Sequence, residues 1–401
     1  MAPQIEGRIL YAGVPDGSVY VVHALGEIPA ANEAVGAAAE VTEGSWQNDD
    51  GDRRWIAPTL AELRHEIDRF HIPATTLANR DTWAEWHYFN VLSRSGKRWV
   101  FISFIVGGDV TGDEWGGNVG ITVREQEGRT RRFAARIDRS NVRFSTTSAD
   151  LVFGDSRVTV LPNGDYRVVA RAREEGGSAA IDIAMTVTPV AHAYFPGISM
   201  GSGDFVSGYT VPALRATATG NLCIDAVCET LAAAQAYHDH NWGVWKGVTW
   251  EWGAARAGDY TFLYGRVHSP DTTASVPPVL IYLIDSLGFR GVFRPRAISY
   301  EDRRTISVGG RAVAVPSRAV LFDERDGDTL RIELSIEDAI GTDMRLQRRE
   351  VVGISADAGD ARVVEEKNPY FIQMKGTARI SGRLDREVIA GTGTGFFETF
   401  R

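Results

Sequence analysis

Apolar residues recur at every second position in short runs, and Gly, Asp or Asn interrupts these runs about every 8 to 12 residues. The pattern is clearest in residues 157–172 (RVTVLPNGDYRVVARA), where two alternating runs flank Asn163-Gly164. Asn-Gly supplies the positive φ angles of a tight hairpin turn, so we predict a hairpin there. Residues 313–336 and 378–397 repeat the arrangement. The chain is therefore predicted to be all-β, with a meander in its last third.

Two segments depart from this alternation. Residues 59–70 (TLAELRHEIDRF) have a helical period, and Thr59 with Glu62 forms a capping box, which predicts an amphipathic helix. The apolar face of that helix would consist of Leu60, Leu63, Ile67 and Phe70. Residues 222–237 (LCIDAVCETLAAAQAY) are rich in alanine, which favours a helix, but residues 225–227 could equally turn two strands. The residue pattern leaves both interpretations of this segment open.

Size and composition favour two curved β domains. The chain has 401 residues, of which 44% are hydrophobic and 24% charged, as in folded globular proteins. Its 42 glycines and 10% aromatic residues favour closed sheets, because glycine permits bends and large rings fill the interior. An eight-stranded barrel takes roughly 120 to 180 residues, so two are expected. We predict domains at residues 1–243, including an N-terminal extension with the helix, and at 244–401.

Charge and cysteine content exclude several classes of function. The net charge of -9 is the wrong sign for binding phosphates, so no nucleic-acid partner is expected. The longest apolar runs, such as residues 99–106 and 276–284, are much shorter than the roughly 18 residues that cross a bilayer. The first ten residues have no basic start followed by an apolar run, so no secretory signal is expected. Cys223 and Cys228 are too few for a disulfide framework, which predicts a reducing, cytoplasmic location and leaves their own pairing open.

Two segments concentrate reactive and aromatic side chains. They are residues 81–90 (DTWAEWHYFN) and residues 237–253 (YHDHNWGVWKGVTWEWG), and the second holds four of the ten tryptophans. Because strand side chains alternate, His238, His240 and Trp242 would share one face, and Tyr237, Asp239 and Asn241 the other. Whether Asp239 or the two histidines point inward stays open.

At these residues the chain resembles a known superfamily. HDHNWG (238–243) and TWEWGAARAGDY (249–260) resemble the carotenoid 1,2-hydratase and kievitone hydratase-like proteins and the related fungal Diels-Alderases. EWHYFNVLSRSGKRW (85–99) is similar to the EWWYF opening of the same AttH-type superfamily, although His87 replaces the usual second Trp. The resemblance implies two lipocalin-like antiparallel β-barrels packed side by side, with few short helices and a hydrophobic pocket inside or between them. It implies no metal and favours strands for residues 222–237.

The two segments suit acid-catalysed chemistry on an alkene. Hydration or cyclisation of an alkene needs a strong proton donor, and a carboxylic acid held neutral in a dry pocket can serve. Asp239 is the first candidate, Glu85 and Glu251 are alternatives, and His238 or His240 could re-protonate the acid or activate water. Aromatic faces would stabilise a carbocation by about 0.5 to 2 kcal/mol each. The residues expected to contact substrate are Trp86, Tyr88, Asn241, Trp242, Trp250, Glu251 and Trp252.

Each candidate residue also has a structural interpretation. Asp239 between two histidines could be a hydrogen-bonded knot at a domain junction, and the tryptophans could be ordinary core. Glu85 could equally pair with Arg256 or Arg266. His238 and His240 with Glu85 or Glu251 would give a two-His-one-carboxylate metal set, but HxH spacing is common by chance, so we expect no metal. Phosphate-binding loops and a GxSxG elbow are lacking, and no cofactor is expected.

Three functions follow, in order of preference. The first is a cofactor-independent hydratase (hydro-lyase) or cyclase acting on a small hydrophobic polyene, terpenoid (including carotenoid) or polyketide substrate. The second is a pericyclase that folds a polyene for a [4+2] cycloaddition, which needs shape and hydrogen-bond donors rather than an acid. The third is a non-catalytic lipid or pigment carrier, since lipocalin-like barrels commonly bind without reacting. The residues do not predict the substrate or the oligomeric state.

Overall fold

The computed structural model describes residues 68–93, 98–126, 128–202, 205–268, 279–325, 327–343 and 370–400. It is 74% strand and 2% helix, which confirms the predicted all-β class. Residues 59–67 of the predicted helix lie outside the described residues, and Asp68–Phe70 are not helical. Within the described part of the chain, no helix is long and apolar enough to cross a membrane.

The chain divides into two compact units. The first comprises Met1–Lys246 with Leu287–Phe289, and the second comprises Gly247–Ser286 with Arg290–Arg401. The domain bounds and side-by-side packing inferred from the sequence stay predictions.

The first unit contains a closed barrel of eight antiparallel strands. The ring runs β11-β12-β1-β2-β3-β4-β8-β9 and returns to β11, while β10 pairs with β11 and β7-β6-β5 continue outward from β8. The strands of this unit are β1 (Trp83–Leu92), β2 (Arg98–Gly108), β3 (Trp115–Glu125), β4 (Thr130–Asp138), β5 (Val142–Phe144), β6 (Leu151–Phe153), β7 (Ser156–Val160), β8 (Tyr166–Glu174), β9 (Ala180–Pro189), β10 (Phe195–Ser202), β11 (Phe205–Ile224) and β12 (Val227–Val244). Short 3-10 turns occupy Arg80–Thr82 and Arg139–Asn141.

The strand alternation fills the first barrel with apolar side chains. Phe89, Phe104, Val119 and Val168 are fully buried members of one core cluster, and they come from four different strands. Phe70, which precedes β1, packs in the same cluster, and its backbone N–H bonds to the carbonyl of Ser145 at 3.1 Å. The segment before β1 therefore reaches the barrel core.

The predicted hairpins are confirmed. Strands β7 and β8 pair around residues 161–165, although Gly164 alone has a positive φ there (99°), so the loop is wider than a two-residue Asn-Gly turn. Residues 222–237 form the hairpin of β11 and β12, as the superfamily resemblance implied and the alanine content did not. At the far end of β12, Gly243 has φ 142°, and a Cβ there would lie 2.3 Å from the Val206 carbonyl oxygen.

A disulfide joins Cys223 and Cys228 across the hairpin of β11 and β12. Their pairing was left open by the sequence. Because disulfides persist mainly in oxidising compartments, this bond argues against the reducing compartment that the cysteine count suggested. The cytoplasmic location stays a prediction.

The second unit is a nine-stranded antiparallel sheet with the order β16-β15-β14-β13-β21-β20-β19-β18-β17. The strands of this sheet are β13 (Thr249–Ala257), β14 (Tyr260–His268), β15 (Leu280–Asp285), β16 (Gly288–Phe293, of which Gly288 and Phe289 belong to the first unit), β17 (Ser299–Val308), β18 (Arg311–Arg325), β19 (Asp328–Asp343), β20 (Tyr370–Leu384) and β21 (Glu387–Phe400). Consecutive strands from β17 to β19 and from β20 to β21 pair directly, which confirms the hairpins predicted at 313–336 and 378–397. Leu283, Ile332 and Ile380 are fully buried members of its core cluster.

Candidate functional site

The two chemistry-bearing segments of the first unit pair with each other. Strand β1 lies antiparallel to β12, with His87 opposite His240, Tyr88 opposite Asp239 and Phe89 opposite His238. Because alternate residues point to opposite faces, this register collects the reactive side chains into two groups on the two sides of one sheet.

The inner group lies in the barrel interior and consists of buried ionisable side chains. Its most exposed member, His71, is 9% exposed. The group comprises Asp68, His71, Glu85, His87, His238 and His240. The question left open by the sequence is thereby answered, since His238 and His240 face inward and Asp239 faces outward.

Hydrogen bonds connect four members of the inner group in a chain. His240 Nδ1 lies 2.8 Å from Asp68 Oδ1, and its Nε2 lies 2.8 Å from Glu85 Oε1. Glu85 also accepts from the backbone N–H of His71, at 3.0 Å and 2.9 Å, and pairs with His71 Nδ1 at 2.8 Å. His240 thus sits between two carboxylates.

The pKa directions follow from these contacts. Burial alone would lower the pKa of His240, but the hydrogen bonds to Asp68 and Glu85 outweigh burial and raise it to about 9. Burial alone would raise the pKa values of Glu85 and Asp68, but their histidine partners hold both below the ordinary values. With Glu85 held as a carboxylate, it does not suit the role of alternative acid.

His87 and His238 present ring nitrogens that make no ordinary hydrogen bond in the described part of the chain. His238 Nδ1 donates to the Tyr88 carbonyl oxygen at 3.0 Å, while among the described residues its Nε2 makes no hydrogen bond of ordinary length and lies 3.6 Å from Asp68 Oδ2. Among the described residues, neither ring nitrogen of His87 makes a hydrogen bond. Burial and the nearby charge of His240 hold the pKa of His87 well below its usual range.

Aromatic rings surround the inner group. Phe89 stacks on His238 with 4.2 Å between ring centroids, and Trp242 stacks on His71 at 3.9 Å. Tyr166 donates its hydroxyl to Asp68 Oδ2 at 2.6 Å. Trp242 therefore packs against a member of the inner group, on the face that the alternation predicted.

The outer group centres on Asp239. This side chain is 3% exposed, and Asn241 Nδ2 donates to its Oδ1 at 2.6 Å. Burial raises the pKa of Asp239 to about 6, against the opposing hydrogen bond from Tyr237. Asp239 lies on the other side of the sheet from His238 and His240, so the strand separates the proposed acid from the histidines expected to re-protonate it.

The remaining predicted residues are spread over both units. In the first unit, Trp86 packs against Trp245 with 4.6 Å between ring centroids. In the second unit, Trp250 stacks on Phe400 at 4.7 Å, and Trp252 is buried. These tryptophans pack against other rings or are buried, as core residues are, which agrees with the structural interpretation. Their contact with substrate stays a prediction.

Glu251, not Glu85, has an arginine partner. Arg266 donates to both oxygens of Glu251, at 2.9 Å and 2.8 Å, and His268 Nε2 lies 2.8 Å from Oε2. The alternative in which Glu85 pairs with Arg256 or Arg266 is therefore wrong, because the Glu85 carboxylate is occupied by histidines. Burial would raise the pKa of Glu251, but the two donors lower it to about 2, so it is not a proton donor.

Replacing Glu251 by Gln is expected to lower the free energy of unfolding by about 1.5 to 3 kcal/mol at pH 7, because it removes charged hydrogen bonds from Arg266. A carboxyl whose pKa is depressed in the folded state stabilises above its unfolded pKa and loses that effect as pH falls. The difference from the wild type should therefore shrink between about pH 4.5 and pH 2. Urea unfolding at several pH values measures this.

A matched control is Glu301→Gln. Glu301 pairs with Arg318, and the two side chains are 40% and 38% exposed. Pairs this exposed contribute about 0 to 1 kcal/mol, so this variant should unfold nearly as the wild type does. Equal destabilisation in the two variants would contradict the structural role of the Glu251 pair.

Sequence reasoning missed Asp68, His71, His87 and Tyr166. Asp68 lies within the segment whose pattern predicted an amphipathic helix. In such a helix a charged residue between apolar positions is expected on the solvent face, so Asp68 was not expected in the core. Tyr166 lies in a regular alternating strand and looks like core. The one available signal was the isolated EIDRFHI run at 66–72, which places Asp68 and His71 around an apolar Phe70.

No protein-family model and no curated protein matches the chain. Among solved structures, the "putative AttH" of Nitrosomonas europaea is 15% identical, covers 83% of this chain and 97% of its own, and gives a TM-score of 0.52. CghA in complex with Sch210972 is 13% identical over 87% of this chain and 96% of its own, with a TM-score of 0.47. Kievitone hydratase from Nectria haematococca is 12% identical over 83% and 93%, with a TM-score of 0.44.

The HDHNWG and EWHYF motifs implied the fold of the AttH-type proteins, and the putative AttH of Nitrosomonas europaea has a similar fold. At these identities the likeness concerns the fold. The expected resemblance is therefore confirmed at that level: the chain has the fold of the AttH protein of Nitrosomonas europaea.

Proposed function

We propose that the chain is an enzyme that adds water to, or cyclises, an unsaturated apolar small molecule, with Asp239 as the proton donor. One contrast carries the proposal. The buried carboxylates of Asp68 and Glu85 and the half-buried one of Glu251 each have histidine or arginine partners, whereas the buried Asp239 accepts from the neutral amide of Asn241. Buried carboxyl groups without a cation tend towards the neutral form, and the raised pKa agrees with this.

The surroundings of Asp239 fit an apolar, unsaturated substrate. Tyr88 lies opposite Asp239 in the register, Trp86 lies two residues away on the same face of β1, and Tyr237 lies two residues away on β12. Aromatic faces stabilise developing positive charge by about 0.5 to 2 kcal/mol each and add no strong nucleophile. This combination supports protonation of a polyene, terpenoid or polyketide alkene, with Asn241 orienting the carboxyl group.

Solvent isotopes distinguish the possible reactions. The full chain would be incubated with a set of linear polyenes and prenylated aromatics, once in water enriched in oxygen-18 and once in deuterium oxide. Hydration should give a product with one heavy oxygen, and protonation-initiated cyclisation a product with one deuterium on carbon. An isomer with neither label would indicate a cycloaddition and overturn the acid role. Tight binding without any product would indicate a carrier.

A further inference from the structure

Three histidines of the first barrel direct ring nitrogens at the carboxylate of Asp68. His240 Nδ1 lies 2.8 Å from Oδ1, His87 Nδ1 lies 3.8 Å from Oδ1, and His238 Nε2 lies 3.6 Å from Oδ2. The two longer distances exceed a hydrogen bond. The rings thus converge on Asp68 without all binding to it directly.

The opposite nitrogens of two of these rings are held in place. His240 Nε2 lies 2.8 Å from the Glu85 carboxylate, and His238 Nδ1 donates to the backbone carbonyl of Tyr88 at 3.0 Å. Metal-binding histidines characteristically donate their second N–H to a carboxylate or a backbone carbonyl, which fixes the tautomer and the ring orientation. The nitrogens left to bind an ion are those that face Asp68.

His87 provides an independent observation. Its side chain is 0% exposed, and among the described residues neither ring nitrogen makes a hydrogen bond of ordinary geometry, although a weaker interaction with the backbone of Ala149 opposes the lowering of its pKa by burial. A buried polar group without a partner costs about 1 to 3 kcal/mol, so native structures seldom contain one. A bound ion would satisfy the nitrogen that faces Asp68.

The charges of the cluster also favour a cation. The inner group contains two carboxylates, Asp68 and Glu85, and no Lys or Arg pairs with either of them in the described parts of the chain. Histidines are their partners instead, and a divalent ion that took the place of the histidine protons would balance both carboxylates.

We propose that Asp68, His87 and His240 bind a divalent first-row transition-metal ion inside the first barrel. One donor atom from each of these residues lies within 4.8 Å of the other two. Metal–ligand distances of about 2.0 to 2.2 Å for imidazole and carboxylate can span donors at this spacing, and His238 Nε2 is placed to be a fourth ligand. A mixed imidazole and carboxylate set suits zinc or iron(II).

This set differs from the metal set considered from the sequence. Glu251 belongs to the second unit and pairs with Arg266. Glu85 is not a ligand in the proposed site; it pairs with His240 Nε2, the ring nitrogen that does not face Asp68. The inference does not rest on the proposed function, because Asp239 faces the other side of the sheet.

The test uses the full-length chain after removal of metal with a chelator. Zinc would be titrated against the protein in competition with a chromophoric chelator, and cobalt(II) binding would be followed by visible absorption. We expect one equivalent of zinc per chain. We expect His87→Gln to weaken zinc binding at least tenfold, and Glu85→Gln to weaken it about 10- to 100-fold through its support of His240.

The control is His192→Asn, because His192 is exposed and asparagine tolerates its positive φ of 61°. It should bind zinc as the wild type does. A wild-type chain without stoichiometric zinc or cobalt binding would overturn the proposal, and so would a folded His87→Gln variant with undiminished affinity. If that variant does not fold, X-ray absorption of the zinc-loaded wild type decides, since imidazole scattering supports the site and an all-oxygen shell refutes it.

Discussion

Replacing His240 by Leu is expected to lower the free energy of unfolding by about 3 to 5 kcal/mol, a large share of the stability of a typical domain. The side chain bridges Asp68 and Glu85, at 2.8 Å to each. Leucine would leave two buried carboxylates close together with no intervening donor. Urea unfolding at pH 7, followed by circular dichroism, measures the loss.

The same logic predicts a partial rescue. Adding Asp68→Asn and Glu85→Gln to His240→Leu removes both stranded charges, and the triple variant should be more stable than the single one. The exposed His192→Asn variant should stay within about 0.5 kcal/mol of the wild type. A His240→Leu chain as stable as the wild type would show that the hydrogen-bonded chain does not stabilise the barrel.

The local features of the fold were accessible from the sequence. Alternation of apolar residues predicted the hairpins at 157–172, 313–336 and 378–397, because each depends on contacts between neighbouring segments. The same period of two placed His238 with His240 on one face and Asp239 on the other. Which face points inward depends on barrel closure, and the alternation carries no information about that.

The partners of the site residues were not accessible. Glu85 meets His240 across 155 residues of sequence, and Asp68 meets it across 172. Such pairs depend on the register of β1 against β12 and on the path of the segment before β1. The helical period around Asp68 also predicted that this residue faces solvent, whereas the structure buries it. From the sequence, the inner group therefore consisted of two histidines and one glutamate rather than six side chains.

Asp239→Asn is expected to reduce the rate of label incorporation by about 10² to 10⁴-fold, the usual contribution of a positioned general acid. Asparagine has nearly the same size and keeps an oxygen that can accept from Asn241, so the variant should fold as the wild type does. The rate would be measured with whichever substrate the isotope experiment identifies. The product would be quantified by mass spectrometry.

Asp182→Asn is the matched control, since this carboxylate is 49% exposed and pairs with Arg171 on the barrel surface. It should retain the wild-type rate. A folded Asp239→Asn chain with full turnover would remove the acid from the mechanism. A loss of only a few fold would instead favour a cycloaddition. In that reaction the outer group has only to position the substrate, and no proton is transferred to a substrate carbon. The size of the loss, rather than its presence, therefore separates a residue that supplies a proton from one that shapes the site.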